Sequence, residues 1–203
     1  MQHVVRCSAV VTVLLIAQPA PAQMLSGEAL VNALRQGGYA LVIRHTSSPR
    51  EAPDRQTANA DNAKLERQLD EHGRATAASM GKAIRDLKIP IGDVFTSPTY
   101  RALETVRLAQ LPNPRAQAEL GDGGQSMQGV TAAQSAWLKD KVMQLPKATN
   151  TVLVTHLPNM AGAFAQWTSG VEDGETLVFG ADGRRGTTVV ARIKIEQWPK
   201  LQF

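Results

Sequence analysis

Two histidines stand where imidazole chemistry is possible, each at the C-terminal end of an apolar segment. His45 follows Tyr39–Arg44, so an arginine directly precedes it, and His156 follows the apolar segment Thr151–Thr155. Apolar runs of this length are typical of strands buried on both faces. Open α/β sheets bind ligands at the carboxyl ends of their strands. We therefore expect both histidines to face one crevice.

A second arginine is expected at the same edge of the sheet. The segment Asp93–Thr96 predicts a short strand, and Ser97 and Pro98 predict the helix start that follows, as N-cap and first helical residue. Arg101 then lies in the first turn, where free backbone N–H groups and the helix dipole favour anions. Two imidazoles with Arg101 and Arg44 are suited to holding and transferring a phosphoryl group.

The rest of the chain predicts helices that alternate with strands. The periodicity and capping residues favour helices over 26–36, 71–88, 97–111 and 131–143, and another that starts at Pro158. Thr176–Phe179 and Thr187–Ile195 are typical of a terminal hairpin. We expect an α/β fold, a three-layer α/β/α sandwich with a mostly parallel mixed sheet. The segments 46–68 and 112–130 are predicted to be irregular, as functional loops often are.

Residues 1–22 have the pattern of a secretory signal peptide. Arg6 precedes the apolar run Ala9–Ala17, and small residues at the end of the segment form a cleavage site. We expect residues 23–203 to be a single domain, periplasmic or secreted, without a stable membrane anchor. The alternative is an uncleaved anchor, for which the apolar run is short. Cys7 is the only cysteine, so the mature chain would have no disulfide and no thiolate nucleophile.

The composition favours a globular protein that does not bind nucleic acid. The net charge is +4, aromatic residues make up 4% of the chain, and acidic and basic residues are interspersed. No run of lysine and arginine resembles a nucleic-acid-binding stripe. A few arginines in a pocket could still attract a small anion. We therefore expect a small phosphorylated substrate as the partner.

Four segments, in this order, resemble motifs of the histidine phosphatase superfamily, whose fold is called phosphoglycerate mutase-like. They are Arg44-His45-Thr46, Leu69-Asp-Glu-His-Gly-Arg-Ala75, Ser97-Pro-Thr-Tyr-Arg-Ala-Leu-Glu-Thr105 and Thr155-His156. Leucine follows His156 where another branch of the superfamily has aspartate, so the chain resembles the mutase-like branch. The resemblance extends over nearly all of residues 23–203.

The resemblance implies a role for each residue of the predicted site. His45 would be the nucleophile that forms a phosphohistidine. Arg44, Arg101 and His156 would hold the phosphoryl oxygens and stabilise their charge, with Ser97 as a neighbour of the phosphate. No metal ion or cofactor is implied, because guanidinium and imidazolium groups supply the positive charge.

The proton donor for the leaving oxygen is left open between Glu119 and Asp122. Both follow the Ser-Pro helix, as the donor often does in the superfamily, but the surrounding family pattern is missing. Glu104, one turn beyond Arg101, is expected to orient that guanidinium or to cap the packing there. Solvent-exposed positions are expected for His72, Arg107, Asp54, Arg55 and Asp61. The alternative for Asp54, Arg55 and Asp61 is that they line the mouth of the substrate site.

The function predicted from the sequence is an exported phosphatase that hydrolyses a phosphomonoester through a phosphohistidine. An exported enzyme could remove phosphate from a sugar phosphate of the cell envelope. One alternative is a non-catalytic phosphate- or sugar-phosphate-binding module with the same fold. Another is a protein phosphatase that acts on phosphohistidine.

Overall fold

The computed structural model describes residues 24–49, 66–122 and 130–202, which form one sheet with helices on both faces. The strands are β1 Tyr39–Arg44, β2 Ile91–Thr96, β3 Pro114–Ala116, β4 Asn150–Thr155, β5 Thr176–Ala181 and β6 Thr187–Ile193. The helices are α1 Gly27–Gln36, α2 Glu71–Asp86, α3 Tyr100–Leu108, α4 Ala132–Met143 and α5 Leu157–Phe164. The predicted signal peptide and three of the expected exposed residues, Asp54, Arg55 and Asp61, lie outside the described residues.

The strand order across the sheet is β3-β2-β4-β1-β5-β6. Strands β1, β2, β3 and β4 pair in parallel, whereas β5 and β6 add an antiparallel edge. The predicted mostly parallel mixed sheet is confirmed. Among the described residues, no helix is both long enough and apolar enough to cross a bilayer.

Both faces of the sheet are buried, which explains the continuous apolar runs in the central strands. Leu41 and Ile43 belong to the core under α1, α2 and α3. Ala40 and Val42, on the opposite face of the same strand, belong to the core under α4 and α5. A strand covered on both sides carries apolar residues at successive positions. The predicted three-layer α/β/α sandwich is therefore confirmed.

The pairing of the two central strands brings the histidines to one edge. In the parallel register of β1 and β4, Arg44 lies opposite Thr155. The N–H of His45 donates to the carbonyl of Thr155 at 3.0 Å, which continues the pairing by one residue. His156, the next residue after β4, therefore leaves the sheet beside His45.

The prediction that 112–130 is irregular throughout was wrong. Pro114–Ala116 forms edge strand β3, and Ala118–Leu120 forms a short 3-10 helix. The three residues of β3 are exposed, so no apolar alternation marks this strand in the sequence. A proline is tolerated in a strand that lies at the edge of a sheet.

The predicted start of α3 was also wrong. Its N-cap is Thr99 and the helix begins at Tyr100, so Ser97 and Pro98 belong to the turn before it. The Ser97 hydroxyl accepts from the N–H of Thr99 at 3.2 Å, a local bond that stabilises a turn in place of a helix. The helix ends at Leu108, and the 97–111 helix predicted from the sequence is longer than α3 at both ends.

The last strand is shorter than predicted. β6 ends at Ile193, two residues before the predicted end, and Ile195–Lys200 forms a 3-10 helix. Trp198 in this segment is fully buried against the core under α1, α2 and α3. The apolar residues after β6 are therefore buried in a 3-10 helix and do not continue the strand.

Helix α3, which carries Arg101, packs closely against α2 at Gly81. A Cβ atom at position 81 would overlap the carbonyl oxygen of Ala109 and lie 2.5 Å from its carbonyl carbon. Gly81→Ala gains up to about 1 kcal/mol of helix propensity. Pushing two backbones apart costs about 1–3 kcal/mol. We expect a net loss in the free energy of unfolding, measured by urea denaturation.

The matched control for this prediction is Ser79→Ala, at an exposed position of the same helix. We expect it to change stability by no more than about 0.5 kcal/mol. A Gly81→Ala variant as stable as the wild type would show that the two helices can separate at no cost.

Candidate active site

His45 is held as one tautomer at the end of β1. Its side chain is buried, and Nδ1 lies 2.8 Å from the carbonyl oxygen of Thr46. A carbonyl oxygen can only accept, so Nδ1 carries the proton and donates it. The other ring nitrogen, Nε2, keeps its lone pair and accepts from Nε of Arg101 at 3.3 Å. This imidazole is arranged as a nucleophile.

The second imidazole, that of His156, lies against the first. The ring centroids are 5.1 Å apart and the ring planes are inclined by 62°. Two hydroxyl groups of the turn before α3 fix the ring, because Nε2 of His156 lies 2.8 Å from Oγ of Ser97 and 3.3 Å from Oγ1 of Thr99. In this structure Ser97, expected beside the phosphate, contacts the imidazole of His156.

Arg101 joins the two histidines to a carboxylate. The side chain is fully buried, and its Nη2 lies 3.3 Å from Nδ1 of His156. The same nitrogen donates to Oδ2 of Asp122 at 2.5 Å. Oδ2 is also 3.4 Å from Nδ1 of His156. Histidines and an arginine from three separate strand ends therefore meet, with Asp122 among them.

The two acidic candidates differ in position. Asp122 is buried in contact with Arg101, whereas Glu119 is partly buried and its backbone carbonyl accepts from Nδ2 of Asn159 at 3.2 Å. Among the described residues, no contact joins the Glu119 carboxylate to the two imidazoles. The geometry favours Asp122 as the acidic member of the site, and a proton-donating role for either residue stays a prediction.

The expected contact between Glu104 and Arg101 was wrong. Glu104 accepts two hydrogen bonds from Arg107, at 2.8 and 2.5 Å, on the outer side of α3. The spacing of three residues on one helix face favours this pair, while Arg101 turns inward to Asp122. As predicted, the side chains of Arg107 and His72 are exposed.

Arg44 is fixed by the segment that precedes β5. Its Nη2 lies 2.5 Å from Oδ1 of Asp173, and its Nη1 donates to the carbonyl of Val171 at 2.9 Å. The sequence did not indicate Val171 and Asp173 as partners of Arg44, because both lie far from it along the chain. The separation between Arg44 and Val171 is 127 residues. The guanidinium is mostly buried and stays close enough to act electrostatically on both imidazoles.

The helix start that was predicted to bind an anion already has a carboxylate. The N–H of Tyr100, the first residue of α3, donates to Oε2 of Glu66. A carboxylate at this end of a helix is favoured by the dipole. The expectation that these N–H groups are free for a substrate anion was therefore wrong at Tyr100. Glu66 lies in the segment predicted as loop 46–68, where no periodicity marks it.

Arg67 is a basic residue near the site that the sequence analysis missed. It is only 6% exposed, and its positive charge acts on His156. The available signal was the adjacent pair of opposite charges, Glu66 and Arg67, two residues before the buried Leu69. An isolated pair of this kind is more often solvated, so the sequence alone gave little reason to choose it.

The surroundings of His45 keep its imidazole neutral. Burial is the largest cause that lowers the pKa of His45 well below its ordinary value, followed by the charges of His156, Arg101 and Arg44. The hydrogen bond to the Thr46 carbonyl opposes this shift. A neutral ring nitrogen that keeps its lone pair is what attack on phosphorus requires.

His156 experiences the same kind of environment. Burial lowers its pKa most, and the charges of Arg101, Arg67 and Arg44 lower it further. Three guanidiniums near a neutral imidazole pair form a site suited to an anion. In the described part of the chain, no group of three or more histidine, cysteine, aspartate or glutamate side chains is arranged to hold a metal ion.

These shifts predict how the stability of the fold depends on pH. Both histidines have a pKa below the unfolded value of about 6.5. Between the folded and unfolded pKa values, only the unfolded chain binds the protons. The free energy of unfolding is therefore at its full value above about pH 6.5. It decreases as the pH falls below about 6.5, by up to about 1.4 kcal/mol per pH unit for each histidine. Urea denaturation between pH 5 and 7.5 measures this slope.

The control for the pH slope is the exposed His72. We expect His156→Gln to reduce the slope and His72→Gln to leave it unchanged. If the wild-type protein were equally stable at pH 5 and pH 7, the histidines would not be neutral in the folded state.

Comparison with solved structures identifies the fold. The protein histidine phosphatase SixA, complexed with tungstate, has a TM-score of 0.55 and 16% sequence identity, with 78% of this chain and 98% of that chain covered. The fold is phosphoglycerate mutase-like. No protein-family model matches the sequence, and no curated protein is significantly similar to it.

Two further structures share the phosphoglycerate mutase-like fold. A mutant phosphoserine phosphatase from Entamoeba histolytica, in complex with phosphoserine, has a TM-score of 0.54 and 12% identity over 78% of this chain and 98% of that chain. YhfR from Bacillus stearothermophilus has a TM-score of 0.54 and 16% identity over 74% of this chain and 94% of that chain. Each comparison chain is therefore covered almost completely.

Proposed function

We propose that the protein is a phosphatase that hydrolyses a phosphomonoester through a phosphohistidine on His45. The observation that carries this proposal is the fixed tautomer of His45, whose Nε2 lone pair faces Arg101 beside the second imidazole. Two structures with the same fold support it, a protein histidine phosphatase and a phosphoserine phosphatase.

The first chemical step follows from this geometry. Nε2 of His45 attacks phosphorus, the P–N bond forms and the bond to the leaving oxygen breaks, so that the electron pair of this bond goes to the leaving oxygen, which takes up a proton. The proton stays on Nδ1, and the Thr46 carbonyl stabilises the positive charge that the ring acquires. Arg101, Arg44 and His156 stabilise the charge on the other phosphoryl oxygens, the main task in phosphoryl transfer.

The second step releases phosphate and restores the enzyme. Water attacks the phosphohistidine, the P–N bond breaks, and its electron pair returns to Nε2 of His45. The proton that the water loses replaces the one that the leaving oxygen took up in the first step. Asp122 accepts from Arg101 in the free site, so it fixes this guanidinium before substrate arrives. As the phosphate binds, its oxygens replace part of this contact.

The test is to trap the intermediate. The purified protein is mixed with a ³²P-labelled aryl phosphate in the presence of a metal chelator and quenched within milliseconds. We expect steady release of phosphate and an acid-labile, base-stable label on the protein. A protein that binds phosphate or tungstate but releases no phosphate from any monoester would be the non-catalytic module instead.

The similarity to SixA favours one alternative substrate, a phosphohistidine on another protein. Small phosphomonoesters and a phosphohistidine-containing protein can be compared at equal concentration. We propose a small phosphorylated molecule as the substrate, so the higher kcat/KM should belong to a small ester. A much higher value for the phosphoprotein would replace this proposal.

We also propose that the enzyme is exported and acts on a phosphorylated sugar of the cell envelope. The support is the signal-peptide pattern in residues 1–22, with a cleavage site before Gln23. Expression of the full chain in a bacterium, followed by fractionation and N-terminal sequencing, tests the export. A mature protein that begins at Gln23 is expected outside the cytoplasm, and an intact N-terminus in the membrane fraction would contradict it.

A further inference from the structure

Thr105 is a fully buried residue of α3, one turn after Arg101, that takes no part in the chemical steps proposed above. Its hydroxyl oxygen, Oγ1, makes three hydrogen bonds. It lies 2.8 Å from the backbone carbonyl oxygen of Arg101, 3.2 Å from the backbone nitrogen of Thr46 and 3.1 Å from the Thr46 hydroxyl oxygen. One hydroxyl therefore joins the residue after His45 to the helix that carries Arg101.

The direction of each of these bonds follows from the groups involved. A carbonyl oxygen only accepts, so the single hydroxyl proton of Thr105 is donated to Arg101. The two lone pairs of Oγ1 then accept from the N–H and from the hydroxyl of Thr46. A hydroxyl has one proton and two lone pairs, so its whole capacity is used here. Because Thr46 is buried, neither of its two donors can turn to bulk water instead.

Thr46 is the residue that determines the tautomer of His45. Its carbonyl oxygen accepts from Nδ1 of His45 at 2.8 Å. The peptide group between the two residues is held at both of its polar atoms. The His45 carbonyl accepts from the N–H of Gly174 at 3.0 Å, and the Thr46 N–H donates to Thr105. With this peptide group and the Thr46 side chain both fixed, the Thr46 carbonyl stays in contact with Nδ1.

The other ring nitrogen of His45 is linked to the same hydroxyl through Arg101. Nε2 accepts from Nε of Arg101 at 3.3 Å, and the backbone carbonyl of Arg101 accepts from Thr105. Thr105 is therefore bonded both to the residue that contacts Nδ1 and to the residue that contacts Nε2. These bonds fix the spacing between the end of β1 and α3 where the imidazole lies.

We infer that Thr105 is a positioning residue, whose hydroxyl holds His45 in the tautomer that keeps the lone pair on Nε2. Its effect on the reaction rate rests on the proposed phosphatase activity, whereas the tautomer is a property of the free protein. Loss of the hydroxyl would leave two donors of Thr46 buried without a partner, which is costly. Rotation of the Thr46 backbone toward other acceptors relieves this cost and moves the carbonyl away from Nδ1.

The experiment compares the ring nitrogens of His45 in the wild type and in Thr105→Val, which keeps the branched shape but lacks the hydroxyl. The ¹⁵N resonances are recorded at neutral pH and assigned by their absence in His45→Ala. In the wild type we expect a protonated Nδ1 and an unprotonated Nε2, and in Thr105→Val the two shifts should converge as the tautomers mix. We expect kcat for an aryl phosphate to fall by up to about 10²-fold, the effect of misplacing reacting groups by about 1 Å. KM should change far less, because Thr105 is not among the groups proposed to bind the phosphoryl oxygens.

Matched variants make the result specific to this hydroxyl. Thr105→Ser restores the hydroxyl without the methyl group and should recover the wild-type tautomer and most of kcat. Thr76→Val removes the same kind of bond from α2, where Oγ1 of Thr76 donates to the carbonyl of His72 at 2.8 Å, and should change neither property. Thr46→Val removes one of the two bonds between Thr46 and Thr105. It is the test variant if Thr105→Val does not fold, and we expect a smaller shift in the same direction.

Two outcomes would overturn the inference. An unchanged His45 tautomer in a folded Thr105→Val protein, whatever its activity, would show that other contacts fix the ring. Equal losses in Thr105→Ser and Thr105→Val would mean that the methyl group and its packing matter, and not the hydroxyl. A wild-type protein that hydrolyses no phosphomonoester would defeat the proposed function, and the ¹⁵N shifts would still decide whether Thr105 sets the tautomer.

Discussion

Replacing His45 with alanine is expected to lower kcat/KM for an aryl phosphate by about 10⁴-fold or more and to remove the phosphoenzyme completely. The nucleophile forms the covalent intermediate, and no other group can take its place without a new route. The Nδ1 contact with Thr46 leaves Nε2 as the reacting nitrogen. Steady-state assays and quench labelling of the same preparation measure both effects.

The control for this variant is His72→Ala, because His72 is exposed and its nearest charged partner is Glu196 at 3.7 Å. It should keep wild-type activity and labelling. Circular dichroism and the unfolding midpoint establish that His45→Ala is folded. Acid-labile label that persists in His45→Ala would show that another residue is the nucleophile.

Replacing Arg101 with glutamine is expected to reduce both activity and stability. The guanidinium contacts both imidazoles, and loss of one such stabilising group lowers kcat by about 10²–10³-fold. The variant also leaves the Asp122 carboxylate buried without its partner. Breaking a buried ion pair in this way costs about 3–5 kcal/mol. Phosphate release and urea denaturation measure the two losses separately.

A double variant separates these effects. Arg101→Gln combined with Asp122→Asn removes both charges, so most of the lost stability should return while activity stays low. Arg107→Gln, on the exposed side of the same helix, should change neither property appreciably. A double variant as unstable as the single one would mean that packing of the Arg101 side chain, and not its charge pair, stabilises this region.

The strands that position the site could be predicted because a strand buried on both faces has apolar residues at successive positions in the sequence. β1 and β4 are covered on both faces and therefore appear as continuous apolar runs. The position of each histidine after its strand then followed from the sequence. Edge strand β3 could not be predicted in this way, because its three residues are exposed and form no apolar run.

The contacts within the site could be predicted only in part. The meeting of His45, Arg101 and His156 followed from strand ends that share one edge of a sheet. The pairing of Arg101 with Asp122 did not, because it depends on how a segment after β3 returns to the sheet. The start of α3 was also ambiguous from the sequence. The Ser97 hydroxyl accepts a hydrogen bond within the turn, Thr99 is the N-cap, and the first N–H of the helix donates to Glu66, which is distant in the sequence.

The hydrogen bond between Ser48 and Gln68 has an evolutionary consequence. It holds Gln68, which precedes the buried Leu69, against Ser48 in the segment after β1. Each doubling of a loop's length costs only about 0.6 kcal/mol once its ends are held together. Changes in the number of residues between Ser48 and Gln68 should therefore cost descendants of this gene little stability, as long as the two residues that form this hydrogen bond are inherited.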